Sequence, residues 1–155
     1  MIPLENTTFE ELYSDFLDKI QDYKQRNLFV TNEKIATNQC LSYLKQAIAK
    51  FGSCKKDIFN PNFNLGEFNC TLSIKESDII TNLMVEAWMR RVCLDIRQMN
   101  LTLDDNSFEH FSEEKNLKEK SEVYDKLREI NSQDMWNYEI ENVPWQNWAA
   151  GDYGI

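Results

Sequence analysis

The stretch "SIKESDIITNLMVEAWMRRVCLDIRQMN", residues 73–100, decides the fold class of this chain. It opens with Ser73 and Glu76 at the spacing of a capping box, in which a hydroxyl and a carboxylate each bind a backbone amide at the start of a helix. No proline or glycine interrupts the residues that follow. The stretch therefore predicts one helix over residues 74–99, roughly 35–40 Å long at 1.5 Å per residue.

The middle of this helix is apolar on every side. Between residues 79 and 89 most positions carry an apolar side chain. A helix that is apolar all round is buried by several neighbours, so we expect it to be central, with Met84 and Trp88 in the core.

Two further helices are predicted upstream. Thr7 and Glu10 have capping-box spacing, and apolar residues recur behind them with a period of 3.6, which predicts a helix over residues 8–25. Its apolar stripe includes Phe16, which we place in the core. A second helix is predicted from a cap at Thr31 to Gly52, where glycine can end it in the left-handed conformation. Phe51 is expected in the core.

Residues 53–72 contain the asparagine, proline and glycine of a loop, in "NPNFNLGEFN". We expect Phe63, Leu65 and Phe68 to hold this loop on the core. Downstream, Ser112 is a candidate cap for a last helix over residues 113–140, whose buried stripe is predicted to be Leu117, Tyr124, Leu127, Ile130 and Tyr138. The charge run "SEEKNLKEKSE" predicts that the other face of this helix is solvated.

The chain as a whole is predicted to be all-α, a small bundle of about four helices with an irregular loop in the middle. Its 155 residues include only 4 glycines and 3 prolines, which are too few turn-forming residues for a β-sandwich. We divide the chain into a helical domain, residues 1–140, and an extended C-terminal arm, residues 141–155.

The arm ends in "VPWQNWAAGDYGI", which is rich in aromatic residues and poor in charge, the reverse of a typical disordered tail. Pro144 stops the last helix. Trp145, Trp148 and Tyr153 are candidate anchors on a partner, because aromatic side chains dominate interface energies. Packing of the arm on its own bundle and disorder are the alternatives.

Composition argues against several function classes. The net charge of −9 disfavours a protein that reads DNA sequence, which needs cations to displace counterions. The only histidine, His110, is predicted in a turn without a nucleophile, and no glycine-rich phosphate motif occurs. The four cysteines form no CxxC pair, so we expect free thiols. We predict no catalytic residues, no metal, no cofactor, no membrane span and no secretory signal.

Two segments resemble a known family. Residues 72–139 contain Met84, Val85, Trp88 and Met89 in a "Met-Val-x-x-Trp-Met" pattern, an "Asn-Leu" turn, a "Ser-Phe-x-x-Phe-Ser" step, "Asn-Leu-Lys-Glu-Lys" and Tyr138 at the end. Residues 43–59, "YLKQAIAKFGSCKKDIF", are a fainter match. This pattern resembles the helical head–tail connector proteins, also called adaptors, of tailed bacteriophages.

The resemblance implies a fold and a role. Such connectors are small helical bundles that form a homo-oligomeric ring, usually dodecameric, beneath the portal protein and extend the DNA channel toward the tail. It implies a virion protein made in the bacterial host cytoplasm, with the portal and neighbouring neck or tail proteins as partners and packaged DNA touched only in passing. The alternative is a small acidic phage regulatory module that binds a host factor.

Overall fold

The computed structural model of the chain describes residues 5–21, 23–102, 108–145, 149 and 151. These residues form helices and no strand, so the all-α prediction is confirmed. The helices number five rather than four, in the order α1 (Phe9–Ile20), α2 (Tyr23–Thr31), α3 (Glu33–Lys50), α4 (Ile74–Thr102) and α5 (Phe108–Glu141).

Helix α4 is the centre of the bundle. It packs against α1, α3 and α5, while α2 packs on α3. Helices α4 and α5 are antiparallel, because Lys75 at the start of α4 bonds Glu141 at the end of α5 and Asn131 bonds the carbonyl of Asn82 further along. The central position follows from the apolar residues that α4 carries on several sides.

The predicted first helix is divided in two. Gln21 has φ of 48°, in the left-handed region, and its amide bonds the carbonyl of Leu17 to close α1. The chain then starts α2 in a new direction. The break lets α1 pack on α4 and α2 pack on α3, which one straight helix over residues 8–25 cannot do.

Two helix starts lie one residue later than predicted. Thr8, not Thr7, forms the capping box of α1 with Glu11, because the Thr7 hydroxyl accepts a bond from the amide of Leu72. At α3 the cap is Asn32, whose side chain accepts from the amide of Ile35.

Thr31 cannot cap α3 because it ends α2, with its hydroxyl donating to the carbonyl of Asn27. Gly52 does not end α3 in the left-handed conformation, since Phe51 is the C-terminal cap with φ of −84°. The Ser73–Glu76 box is present as predicted. Ser112 lies inside α5, which begins at Phe108, so Ser112 is not its cap.

The loop between α3 and α4 is held on the core by Phe68, as predicted, and by two residues that were not predicted. Phe68 is fully buried, and Phe63, although 51% exposed, packs edge-on against the core residue Phe9 with ring centroids 6.0 Å apart. Leu65 is 69% exposed, so its predicted role is not confirmed. Ile58 and Leu72 supply the other buried apolar side chains of the loop. Backbone bonds tie the loop to the segment before α1, as in the bond from the Phe68 amide to the carbonyl of Thr7.

One apolar core joins α1, α3, the loop, α4 and the end of α5. Phe16, Phe51 and Met84 are completely buried in it. Trp88 and Tyr124 are only half-buried, which corrects their placement in the core. Trp88 packs at the edge of the core. Tyr124 lies outside it, with its ring under the guanidinium of Arg128 at 5.6 Å.

Candidate functional site

The aromatic residues expected to anchor a partner are placed only in part. Trp148 and Tyr153 lie outside the described residues. Trp145 is 51% exposed, and its indole Nε1 donates to the carbonyl of Ile140 at 3.1 Å. Trp145 therefore caps the end of its own helix α5. Trp145 and Ala149 have helical backbone, so the arm is not extended at these positions.

A buried polar cluster joins the ends of three segments around Glu76. One carboxylate oxygen of Glu76 accepts from the Tyr138 hydroxyl at 2.8 Å, and the other accepts from the amide of Ser73 at 2.7 Å. The Tyr138 hydroxyl also accepts from the amide of Lys55 at 3.0 Å. Lys56 lies 3.7 Å from the carboxylate. Every member has a partner, so the cluster is suited to holding the loop and not to binding a ligand.

Three ionisable groups of this region, Glu76, Cys54 and Tyr138, have shifted pKa values. Burial alone raises the pKa of Glu76, but the hydrogen bonds from Ser73 and Tyr138 and the charge of Lys56 outweigh it and lower the pKa. Burial raises the pKa of Cys54, and likewise that of Tyr138, which also donates to Glu76.

Two further thiols, Cys40 and Cys70, have pKa values shifted away from activation. Burial raises the pKa of Cys40 to about 12, and burial also raises the pKa of Cys70. A reactive cysteine needs the opposite shift, because the thiolate is the nucleophile. The four cysteines are free, and no metal-ligating group of three or more acidic, thiol or imidazole side chains occurs in the part of the chain that the structure describes.

A second buried polar group, formed by Glu86 and Asn131, lies between α3, α4 and α5. Glu86 is 5% exposed and forms an ion pair with Lys50 of α3. Its other oxygen accepts from Asn131 of α5 at 2.9 Å. Asn131 is itself 2% exposed, and its amide nitrogen donates to two groups of α4, the carboxylate of Glu86 and the carbonyl of Asn82. This pair fixes the register of the three helices.

A cationic cleft opens beside that pair. We use this name for the surface formed by Lys50, Arg90 and Arg128, which the half-buried Tyr124 also lines. Glu86 is the only acidic residue that lines it, and Glu86 is paired with Lys50. Arg90 is exposed and contacts no carboxylate of the described residues within ion-pair distance. The cleft is therefore positive in a chain whose net charge is −9.

An acidic groove lies between α1 and the start of α4. We use this name for the surface whose acidic residues are Glu5, Glu11, Asp15, Asp18 and Asp78, with a volume of about 870 Å³. Its one lining cation, Lys19, is occupied by Asp78 at 2.7 Å and by two further α4 side chains. The groove therefore keeps a surplus of negative charge.

A third cleft, of about 610 Å³, lies between α2, α3 and the distal half of α4. Trp88 and Tyr43 line it, and Arg91 donates to the Tyr43 hydroxyl at 3.2 Å. Gln25 also lines it and is 7% exposed. The Nε2 of Gln25 is the one buried side-chain polar atom, among those described, that has no hydrogen-bond partner.

Helix α5 also presents apolar side chains to solvent. Val123 and Ile130 are each 47% exposed and lie seven residues apart, with the half-buried Leu127 between them, so the prediction that Ile130 is buried is wrong. We call these three residues the α5 stripe. Their i, i+4, i+7 spacing puts them on one face of the helix, the pattern by which helices pack on one another. Trp136, 57% exposed, lies elsewhere on the same helix.

Sequence reasoning missed the cationic cleft and the acidic groove. Each is assembled from helices that are distant in the chain, so no local pattern marks it. The one usable signal was Arg90, which follows the apolar run of α4 directly.

Among the described helices, none combines the length and the hydropathy that a membrane span requires. No family model, curated protein or solved structure matches the chain.

Proposed function

We propose that this chain is a structural protein of a tailed-bacteriophage virion, a head–tail connector that forms a homo-oligomeric ring beneath the portal. In this role the ring, most simply a dodecamer, extends the DNA channel toward the tail. The portal and the neighbouring neck or tail proteins are its partners, and the site of synthesis is the bacterial host cytoplasm.

The observation that carries the proposal is the α5 stripe. Val123, Leu127 and Ile130 form an apolar line on a 34-residue helix, half open to solvent. Exposed apolar side chains grouped in this way are typical of a protein–protein contact. The stripe lies inside residues 72–139, the segment that resembles connectors, and that segment forms the α4–α5 pair. We assign the stripe to a contact with the portal or another neck protein.

Two other features support an assembly role. Helix α4, about 43 Å long at 1.5 Å per residue, packs on three other helices and gives the subunit a rigid axis. The net charge of −9 repels phosphate, so a channel lined by such subunits would let DNA pass without holding it.

The proposal is tested by a protein inventory of purified virions. A connector is present at a fixed copy number near twelve per particle, and particles made without it retain DNA poorly or lack tails. A chain absent from virions, and recovered instead as a monomer or dimer bound to a host protein, would establish the regulatory alternative.

A pair of variants links this result to the α5 stripe. Val123→Ser with Ile130→Ser removes the exposed apolar area without adding charge, and we expect incorporation into particles to fall at least about tenfold. Glu122→Ser with Glu129→Ser changes the same helix on a different face and serves as the control. Circular dichroism shows whether both variants fold. Equal incorporation of the two would refute a role for the stripe.

A further inference from the structure

The two charged surfaces lie on opposite sides of α4. Asp78 and Thr81 line the acidic groove, while Ala87 and Arg90 line the cationic cleft. Asp78 precedes Ala87 by nine residues, and Thr81 precedes Arg90 by nine residues. Nine residues are about two and a half helical turns. The side chains of the two sets therefore point in opposite directions from the same rigid helix.

The surfaces are complementary in charge. The acidic groove offers five carboxylates, three of them on α1, and its only lining lysine is already bonded to α4. Asp15, which is exposed, has no cation of the described residues within ion-pair distance, and Asp18 pairs with the exposed Arg26 at 3.4 Å, a solvent-exposed contact that a partner can replace. The cationic cleft offers Arg90 without a carboxylate partner and Arg128, whose nearest carboxylate, Asp125, lies 4.0 Å away.

We propose that the cationic cleft of one copy binds the exposed edge of α1 that borders the acidic groove of a second copy, so that the chain associates head to tail. The contact pairs Arg90 and Arg128 of one copy with Asp15 and Asp18 of the next. Arginine suits this role because its planar guanidinium binds carboxylates through two parallel bonds.

This geometry defines the kind of assembly. Because the two surfaces lie on opposite sides of α4, two copies cannot satisfy both contacts with each other, so the contact is heterologous and its repetition produces a closed ring or an open filament. The two surfaces are offset by about 13 Å along α4, nine residues at 1.5 Å each. The inference deepens the proposed function, since it names the subunit–subunit contact of the ring.

The test uses full-length protein and sedimentation velocity over a range of concentrations. Wild-type protein associates beyond a dimer at about 50 mM salt, and the association weakens as salt screens the charges. Arg90→Glu with Arg128→Glu makes both surfaces acidic, and Asp15→Lys with Asp18→Lys makes both basic. We expect each double variant alone to lose at least about 100-fold in self-affinity, because like charges then face each other.

Mixing the two double variants gives the decisive result. The unchanged groove of the first fits the unchanged cleft of the second, and the two reversed surfaces also fit each other. An equimolar mixture therefore regains the assembly of the wild type with alternating subunits. The same four changes in one chain restore self-association as well.

Controls separate this contact from a general charge effect. Lys118→Glu with Lys126→Glu matches the first variant in charge, and Glu122→Lys with Glu139→Lys matches the second, both outside the two surfaces. These controls keep wild-type association. If a reversal variant unfolds, Arg90→Gln with Arg128→Gln and Asp15→Asn with Asp18→Asn replace it, with an expected loss of about tenfold.

Three outcomes would overturn the proposal. They are a wild-type chain that stays monomeric up to millimolar concentration, a mixture that fails to regain association, and controls that lose as much as the reversals. None of these depends on the virion inventory. A chain found in virions but lacking this contact would still be a connector, and a chain that assembles by this contact but is absent from virions would not.

Discussion

Glu76 illustrates how single side chains hold this molecule together. Its carboxylate is 5% exposed and joins the start of α4 to Tyr138 at the end of α5, while the same tyrosine holds the amide of Lys55 in the loop. A buried charge of this kind is tolerated because each oxygen has a hydrogen-bond donor. Three segments far apart in sequence thus depend on one carboxylate.

Replacing Glu76 by Gln is expected to lower the free energy of unfolding by about 1–3 kcal/mol at pH 7, the value of hydrogen bonds to a charged group. The folded pKa of Glu76 is lowered, so its contribution is complete above the unfolded pKa, about 4.3, and is lost as pH falls through the folded value. Urea titrations at pH 7 and pH 3 measure it. A difference between variant and wild type that does not shrink at pH 3 would contradict this assignment.

Gln25 is the opposite case, a buried amide whose Nε2 lacks an acceptor. Such a group bears the cost of desolvation without a compensating bond. Gln25→Met keeps the length of the side chain and removes the unpaired donor, so we expect the protein to gain about 1 kcal/mol in the free energy of unfolding. Gln39→Met, in the same cleft, is the control. A loss of stability in Gln25→Met would contradict this prediction, because it would show that the amide forms a stabilising hydrogen bond in the folded chain.

At the scale of elements, the two long helices α4 and α5 have different structural roles. Helix α4 supplies most of the contacts that define the bundle, since α1, α3 and α5 all pack on it. Helix α5 is tied at its C-terminal end by Tyr138 and Asn131, both almost fully buried, and exposes apolar residues elsewhere. The end of α5 is therefore structural, and its exposed face is available for a partner.

Removing the chain after Glu141 tests the boundary between domain and arm. The truncation deletes Asn142 and Trp145, whose side chains bond the carbonyls of Tyr138 and Ile140 at the end of α5. We expect the truncated protein to fold, with a loss of about 1–2 kcal/mol from these caps. Thermal unfolding followed by circular dichroism measures it, with Trp145→Ala as the smaller change. Complete unfolding of the truncated chain would place the arm in the core.

At the scale of the whole molecule, charge acts in two directions. The net charge of −9 destabilises the compact chain through self-repulsion, while local surpluses of opposite sign on two faces favour association. Salt screens both effects, so folding and assembly respond to it oppositely.

Sodium chloride at 0.5 M is expected to raise the melting temperature of the monomer by about 2 °C relative to 0.05 M, because screening relieves the repulsion among its carboxylates. Over the same range it weakens self-association. Calorimetry of the Arg90→Glu, Arg128→Glu variant isolates the first effect, since that chain is expected to be monomeric. A melting temperature that falls with salt would show that attractive pairs dominate the folded chain.

The sequence by itself determined the helical class, the extent of α4 and the burial of Phe16, Phe51 and Met84, because these depend on local capping and on periodicity along one helix. Only the tertiary structure decided where the first predicted helix breaks, since the turn at Gln21 is set by what α1 and α2 each pack against. The tertiary structure also decided that Trp88 packs at the edge of the core and that Tyr124 lines the cationic cleft, because the burial of each ring depends on which helices pack beside it.

The charged surfaces depend on the tertiary structure most of all. Lys50, Arg90 and Arg128 come from three helices, and the antiparallel packing of α4 on α5 brings the last two together. A one-dimensional pattern records which residues share a helix face. Which faces meet is fixed by packing, so the cationic cleft and the acidic groove exist only in the folded chain.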